Sequence, residues 1–241
     1  MIEHRDGLVL FDTGQDRASV TDPDYFPSGF TGVLYDRLAR FDIGPDQTLG
    51  QQLAAIGYDI GDVHTAVLSH LHQDHIGGLP ELGHADIVVS EQEWQSMQRP
   101  LAALRGFLRS HIELPGLRWH RVRPEPITDS ELAPFDTGHD LFADGSLVLV
   151  PTPGHTPGSM SLLVRRPGHP PLLLVGDLTY DADLLADGLV PGAGDKAQMR
   201  KAVARVNALR RRFPNLAVLA AHDPAAEHRL DTAVMTNGAQ G

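Results

Sequence analysis

The stretch Ser69-His-Leu-His-Gln-Asp-His-Ile-Gly-Gly78 decides much of what this sequence implies, because it concentrates side chains that bind metals. Four such groups lie within six residues: His70, His72, Asp74 and His75. Imidazole and carboxylate groups are ligands for divalent zinc, manganese, cobalt and iron. In an extended segment, His70 and His72 point to the same side and can bind one ion together. The Gly77-Gly78 pair lets the chain turn, so that Asp74 and His75 can face a second ion.

Composition and charge limit the kind of protein. The 241 residues carry a net charge of -11 with 13 histidines and no cysteine, which excludes thiolate zinc sites, disulfides and cysteine nucleophiles. The acidic balance argues against nucleic acid as a partner, because phosphate contacts need clustered lysine and arginine. No apolar run approaches the roughly 20 residues that span a bilayer, and Met1–Gly7 is not an apolar signal segment. We therefore expect one domain over residues 1–241, located in the cytoplasm, without a membrane partner; a homodimer is compatible with the sequence.

Strands and helices alternate along much of the chain, which predicts an α/β protein. Short apolar runs bounded by Gly, Pro, Asp or His predict strands at Leu8–Phe11, Thr65–Leu68, Asp86–Val89, Leu147–Val150, Ser159–Val164, Leu172–Val175 and Leu216–Leu219. Helices are predicted at Gln47–Ile56, at Glu91–Met97 with a restart at Leu101–Leu108, and from a cap at Asp195 to Phe213. On the last helix, one buried face is expected to carry Met199, Val203, Val206 and Leu209. Residues 15–46 predict a long ordered loop region of the kind that shapes binding sites.

Three further ligand-type side chains follow predicted strands, where a rigid sheet can hold them in position. They are His155 in Val150-Pro-Thr-Pro-Gly-His-Thr-Pro-Gly158, Asp177 and His222. Alone, such a histidine is more often a hydrogen-bonded loop residue, and such an aspartate can cap a turn. Two divalent ions need about seven protein ligands besides water. Together with the first run, the chain supplies that number: His70, His72, Asp74, His75, His155, Asp177 and His222.

These residues resemble the metallo-β-lactamase superfamily. The matching elements, in the family's order, are Asp12-Thr-Gly14, the His-x-His-x-Asp-His run at 70–75, Thr152-Pro-Gly-His155, Gly176-Asp177 and His222. The resemblance implies an α/β fold of four layers, an αββα sandwich of two mixed β-sheets flanked by helices. It also implies a first metal on His70, His72 and His155, a second on Asp74, His75 and His222, and a bridging Asp177. Eleven residues precede Asp12, fewer than is usual, so the first sheet is expected to lack N-terminal strands or the reading frame to start earlier.

One detail is similar to the N-acyl-homoserine lactonases, the quorum-quenching branch of that superfamily. Tyr180 stands three residues after Asp177, and His222-Asp-Pro224 is similar to the ending found in that branch. The resemblance implies that Tyr180 contacts the lactone and stabilises the oxyanion, that two metals activate a shared water, and that Asp74 also shuttles a proton. A tyrosine packed in the core is the alternative. Asp12 is expected either to orient a ligand histidine or to form a plain turn.

The expected substrate is a small ester or lactone, in the first place an N-acyl homoserine lactone. Its acyl chain would need an apolar groove, for which the candidate linings are Phe26, Phe30, Tyr35 and Phe107. The competing functions are another ester or phosphotriester hydrolase of the same superfamily, a glyoxalase-II-like thioesterase, and a non-enzymatic metal-binding scaffold. Glyoxalase-II-like enzymes usually carry Gly-Asp-Thr-Leu-Phe where this chain has Gly176-Asp-Leu-Thr-Tyr180. The two divalent ions are expected to be Zn²⁺, with Fe, Co or Mn left open because His/Asp sites accept several metals.

Overall fold

The computed structural model describes residues 1–29, 32, 35 and 41–235, and these contain two mixed β-sheets. The first sheet has the order β1-β2-β3-β4-β5, with β1 (Ile2–His4), β2 (Gly7–Phe11), β3 (Val63–Val67), β4 (Asp86–Ser90) and β5 (Arg118–Val122). The second has the order β11-β10-β9-β8-β7-β6, with β6 (Glu125–Pro126), β7 (Thr137–Asp140), β8 (Leu147–Pro151), β9 (Met160–Val164), β10 (Leu172–Leu174) and β11 (Ala217–Leu219). The α-helices with fully described bounds are α1 (Ala18–Thr21), α2 (Leu49–Ala55), α3 (Glu91–Met97), α4 (Arg109–Ile112), α5 (Lys196–Arg212) and α6 (Ala226–Met235). None of the helices in the described part of the chain is long and apolar enough to cross a membrane.

The chain divides into two compact units, of which the first comprises residues 1–89 and 95–120. In it, β2 runs parallel to β3 and β3 runs parallel to β4. Phe11 and Val67 are register partners, so the ends of β2 and β3 lie side by side. The Asp12 N–H then donates to the Val67 carbonyl at 2.8 Å. This pairing brings the residue after β2 to the start of the histidine-rich run that follows β3.

The second unit comprises residues 90–94 and 121–241. Strands β7 to β10 are antiparallel neighbours, and β10 pairs in parallel with β11, where Leu174 is the register partner of Leu219. Helix α5 starts at the predicted cap, since the Asp195 carboxylate accepts the N–H groups of Ala197 and Gln198. Its buried residues are Met199, Ala202, Val203, Val206 and Leu209, which confirms the predicted face. Because β10 and β11 are parallel neighbours, Asp177 and His222 emerge from the same edge of the sheet.

All seven predicted strands are present, but the predicted helix over Leu101–Leu108 is wrong. Only a single 3₁₀ turn forms there, at Ala102–Arg105, and it is bounded by left-handed residues at Leu101 and Gly106. Strands β1, β5, β6 and β7 and helices α1, α4 and α6 were not predicted. These elements are short or lack a clear apolar pattern; β5, for example, has no fully buried residue. One short strand, β1, precedes the strand that ends before Asp12. Part of the predicted loop region 15–46, including Phe30, lies outside the described residues.

Candidate metal centre

Asp12 is connected to two of the predicted ligands, to His75 directly and to His70 through Ser69. Its Oδ1 accepts the Ser69 N–H at 2.7 Å, and its Oδ2 accepts the Ser69 hydroxyl at 2.8 Å and lies 2.8 Å from His75 Nδ1. The Ser69 Oγ lies 2.9 Å from His70 Nδ1. Because the Ser69 hydroxyl already donates to Asp12, its oxygen must accept from His70. Both imidazoles therefore carry their proton on Nδ1 and offer Nε2 as the ligand atom.

His72 has the opposite orientation. Its Nε2 lies 3.0 Å from the backbone carbonyl of Arg105, so Nε2 carries the proton and Nδ1 is the atom suited to a metal. The Arg105 guanidinium donates to three carbonyls of the preceding segment, at Ser96, Arg99 and Pro100, and so holds this backbone in place. The next residue, Gly106, has φ +90°, and a Cβ there would collide with the His72 ring. Sequence reasoning missed both residues, since only the fold brings them to His72.

We expect Gly106→Ala to lower hydrolase activity by about 100-fold, the size of effect that a displacement of about 1 Å at a reacting centre can have. The new methyl group would push the His72 ring away and weaken the binding of the ion expected at His72. Metal content should therefore fall in parallel. Gly57→Ala is the matched control, because Gly57 has φ +91° but no atom within 4 Å of its added Cβ. Elemental analysis and kinetics on both variants measure the difference. Equal losses in the two variants would show that backbone strain, and not the His72 contact, is responsible.

Asp177 lies between two histidines of the second unit. Its Oδ2 is 3.4 Å from His155 Nε2, and its Oδ1 is 3.4 Å from His222 Nε2. Asp177 is 5% exposed and lies in the short 3₁₀ turn Gly176–Leu178 after β10, where its own backbone angles are not helical. The His222 side chain is 42% exposed. A carboxylate with one oxygen directed at each of two histidines is arranged as a bridging ligand requires.

The loop that carries His155 is held by a buried acid that sequence reasoning also missed. Glu93, on α3, is fully buried, and its Oε2 accepts the Thr156 hydroxyl at 2.7 Å and the Gly158 N–H at 3.0 Å. The Ser90 hydroxyl donates to the Gly158 carbonyl at 2.8 Å. These bonds fix the backbone on the C-terminal side of His155. In the sequence, Glu93 looks like an ordinary acid in the first turn of a helix.

The structure brings all seven predicted ligands into two clusters. Within each cluster the ligand atoms all lie within 4.8 Å of one another; the clusters are His70, His72 and His155, and Asp74, His75, Asp177 and His222. Imidazole nitrogens with carboxylate oxygens are the donor set that divalent zinc, iron, cobalt and manganese accept. The chemistry and the convergence of these side chains therefore fit a pair of divalent ions.

Tyr180 lies beside the ligands and is not part of the core. It is 40% exposed, and its ring centroid lies 5.4 Å from that of His222 and 6.5 Å from that of His155. The alternative of a core tyrosine is therefore wrong. A hydroxyl group in this position can reach a molecule bound in front of the histidines.

Several of the aromatic side chains predicted to line an acyl groove lie in the same unit as His72. The Phe107 ring is buried with its centroid 5.6 Å from that of His72, and the Phe26 ring stacks on Tyr35 at 5.3 Å. The Tyr35 hydroxyl donates to the Ala103 carbonyl at 2.9 Å. Burial, with a contribution from the Asp74 carboxylate, raises the pKa of Tyr35 to about 12, so the phenol stays protonated at neutral pH. A role of Phe26, Tyr35 and Phe107 in lining an acyl groove stays a prediction.

Comparison with known proteins identifies the family. The model of the metallo-beta-lactamase superfamily matches residues 1–222. The N-acyl homoserine lactonase AttM of Rhizobium radiobacter is 33% identical over 193 residues, which are 80% of this chain and 68% of that protein. The AttM protein of Azorhizobium caulinodans is 31% identical over 228 residues, 94% of this chain and 81% of that protein.

A solved structure supports the same fold. It is an N-acyl homoserine lactone hydrolase with the product N-hexanoyl-L-homoserine bound at the catalytic metal center, and it superposes with a TM-score of 0.72 at 23% identity, over 94% of this chain and 80% of that chain. The predicted fold class is thus confirmed. By its family match, its ordered ligand motifs and its fold, the chain belongs to the metallo-β-lactamase superfamily.

Proposed function

We propose that this protein is a metal-dependent hydrolase that opens the ring of N-acyl homoserine lactones, and thereby quenches quorum signals. The observation that carries the proposal is Tyr180, exposed beside the ligand histidines of a chain whose relatives are lactonases. The hydrolase is one domain over residues 1–241; the family match across both units, residues 1–222, supports this assignment. A cytoplasmic location is part of the proposal, and a homodimer is compatible with it.

Seven side chains hold the metals in this proposal. His70, His72 and His155 bind the first ion, Asp74, His75 and His222 bind the second, and Asp177 bridges them. The two ligand clusters and the two directed oxygens of Asp177 support this division. Zn²⁺ is the proposed metal, since it combines readily with imidazole and carboxylate and is redox-inert. When bound, the pair of ions supplies an activated water and polarises the ester carbonyl.

The remaining steps fall to the chain itself. As the lactone carbonyl takes up negative charge, the Tyr180 hydroxyl donates a hydrogen bond to its oxygen and stabilises the transition state. Breaking the ring C–O bond leaves an alkoxide, which needs a proton. In this proposal Asp74 delivers that proton from the attacking water. The role is supported by the partial exposure of its side chain, 26%, and by the 3.8 Å distance from its Oδ2 to His75 Nε2. The product is the ring-opened N-acyl homoserine.

We expect Tyr180→Phe to lower kcat for lactone opening by about 10²-fold, the effect of removing one hydrogen-bond donor to an oxyanion. The variant should keep two metal equivalents, since the Tyr180 side chain is not a ligand. Kinetics at saturating lactone, with metal content measured on the same sample, test this. An unchanged kcat, or a loss of metal, would remove Tyr180 from its proposed role.

Substrate choice is tested by a panel. The purified protein, loaded with zinc, is offered N-hexanoyl homoserine lactone, a thioester of glutathione, a phosphotriester and a β-lactam, and proton or thiol release is followed. We expect opening of the lactone to exceed the other activities by at least about 10²-fold in kcat/KM. A preference for the thioester would favour the glyoxalase-II-like alternative. A preference for the phosphotriester would favour a phosphotriester hydrolase of the same superfamily. Bound metal without any turnover would leave a metal-binding scaffold.

A further inference from the structure

Helix α3 meets the loop that carries His155 at its first turn. The sequence Ser90-Glu-Gln-Glu93 has the spacing of a capping box, in which the serine caps the helix and the glutamate side chain returns to the backbone of the cap. The cap is present, since the Ser90 hydroxyl accepts the Glu93 N–H at 2.9 Å. The same hydroxyl donates to the Gly158 carbonyl at 2.8 Å, and the Glu93 carboxylate accepts the Gly158 N–H at 3.0 Å. Both side chains of this box therefore bind the His155 loop.

Two further hydroxyl groups of the loop lead to the same carboxylate. The Thr156 hydroxyl donates to Glu93 Oε2 at 2.7 Å. Its single proton is then used, so the Ser159 hydroxyl, whose oxygen lies 2.7 Å from that of Thr156, must donate to it. The Ser159 oxygen in turn accepts the Thr156 N–H at 3.1 Å. All three residues are buried, and hydrogen bonds that a carboxylate accepts away from water are stronger than those between neutral groups. Glu93 is therefore the acceptor on which this part of the loop depends.

The N-terminal side of His155 is held by a second helix. The Asp195 N–H, at the cap of α5, donates to the Gly154 carbonyl at 2.6 Å. A Cβ at Gly154 would collide with Met199 of that helix, so the loop backbone lies directly against its first turn. His155 is therefore flanked on one side by the start of α5 and on the other by the start of α3.

We propose that Glu93 is a positioning residue for His155, and that it sets the affinity of the first metal ion while leaving that of the second nearly unchanged. The inference rests on the proposed function's division of the ligands between the two ions. The His155 side chain is 4% exposed, and its Nε2 lies 3.4 Å from Asp177 Oδ2, so the ring has little room to compensate for a shift of its backbone. The histidines proposed for the second ion, His75 and His222, lie outside this loop. Loosening the loop therefore weakens one ion more than the other.

The zinc affinities of the two sites test this. Metal-free protein is titrated with Zn²⁺ against a competing chelator, and NMR of ¹⁵N-labelled histidine rings shows which imidazoles are coordinated at each step. We expect Glu93→Ala to weaken the first ion by about 10- to 100-fold and the second by less than about twofold. Thr156→Val should weaken the first ion by a smaller factor, and Thr156→Ser, which keeps the hydroxyl, should bind it as the wild type does. Glu227→Ala is the matched control, since it removes an exposed acid from the first turn of another helix, α6.

A second readout needs neither metal nor substrate. In the metal-free protein, hydrogen exchange of the Gly158 amide should accelerate about tenfold in Glu93→Ala, which removes its acceptor, and stay unchanged in Glu227→Ala. If the wild type opens no lactone, the proposed function fails while the zinc titration still decides the role of Glu93. Equal weakening of both ions, wild-type zinc affinity in Glu93→Ala, no recovery in Thr156→Ser relative to Thr156→Val, or unchanged exchange would each overturn the inference. Thr156→Val, which keeps the shape of the residue, covers the case in which Glu93→Ala does not fold.

Discussion

Asp177→Ala is expected to have the largest effect of any single substitution in this chain. Removing the carboxylate takes away a group whose two oxygens face His155 and His222, so neither ion of the proposed site would keep a complete set of ligands. We expect bound metal to fall from about two equivalents to less than one, and lactone opening to fall on the order of 10³-fold, because the activated water depends on both ions.

The control for this change is Asp187→Ala, an exposed carboxylate ten residues later that is in neither ligand cluster. It should bind metal and turn over lactone as the wild type does. Both proteins are checked for folding by circular dichroism before elemental analysis and kinetics. Asp177→Ala that still binds two equivalents and hydrolyses lactone at the wild-type rate would contradict the bridging role.

Asp12→Asn is expected to have the second largest effect, and the reason is the position of protons. The acid accepts at both oxygens: Oδ1 from the Ser69 N–H and Oδ2 from the Ser69 hydroxyl and His75 Nδ1. An asparagine amide has one accepting oxygen and one NH₂ group that only donates. In Asp12→Asn, one of the two positions now occupied by carboxylate oxygens is therefore taken by the NH₂ group, which cannot accept. With the amide nitrogen toward His75, the imidazole proton is driven to Nε2, where it blocks coordination.

We expect Asp12→Asn to weaken metal binding by about 10- to 100-fold and activity with it. The backbone is not the cause, since Asp12 has φ +60° and asparagine tolerates that region as aspartate does. Titration of the metal-free protein with zinc and a competing chelator measures the affinity. Ser69→Ala is the informative comparison, because it removes only the branch to His70 and should leave the His75 ion in place. Wild-type affinity in Asp12→Asn would mean that Asp12 is only a turn residue.

Much of the fold and most of the candidate site could be predicted from the sequence, and each failure has a physical reason. The strands before His70, His155, Asp177 and His222 are short apolar runs with clear ends, so their ligands could be placed at strand ends. Edge strands such as β5 lack such a pattern. Leu101–Leu108 has the apolar content of a helix, but left-handed residues at Leu101 and Gly106 stop it after one turn.

The supporting residues could not be predicted, because their partners are distant in the sequence. Glu93 contacts Thr156 across 63 residues, the Arg105 carbonyl meets His72 across 33, and Asp223 meets Ala182 across 41. Each of these residues is of a type that is usually exposed or unremarkable. These residues stabilise a loop or a neighbouring segment only because they are buried and meet a specific partner. Neither burial nor the partner can be inferred from the local sequence.

The sequence by itself determined which side chains can bind metal, because ligand chemistry belongs to the residue type and because alternation along an extended segment is local. The tertiary structure decided which nitrogen each imidazole presents. Asp12 and Ser69 place the protons of His75 and His70 on Nδ1, whereas the Arg105 carbonyl places that of His72 on Nε2. An imidazole proton follows its hydrogen-bond partner, and for His72 and His75 that partner is supplied by a distant segment of the folded chain.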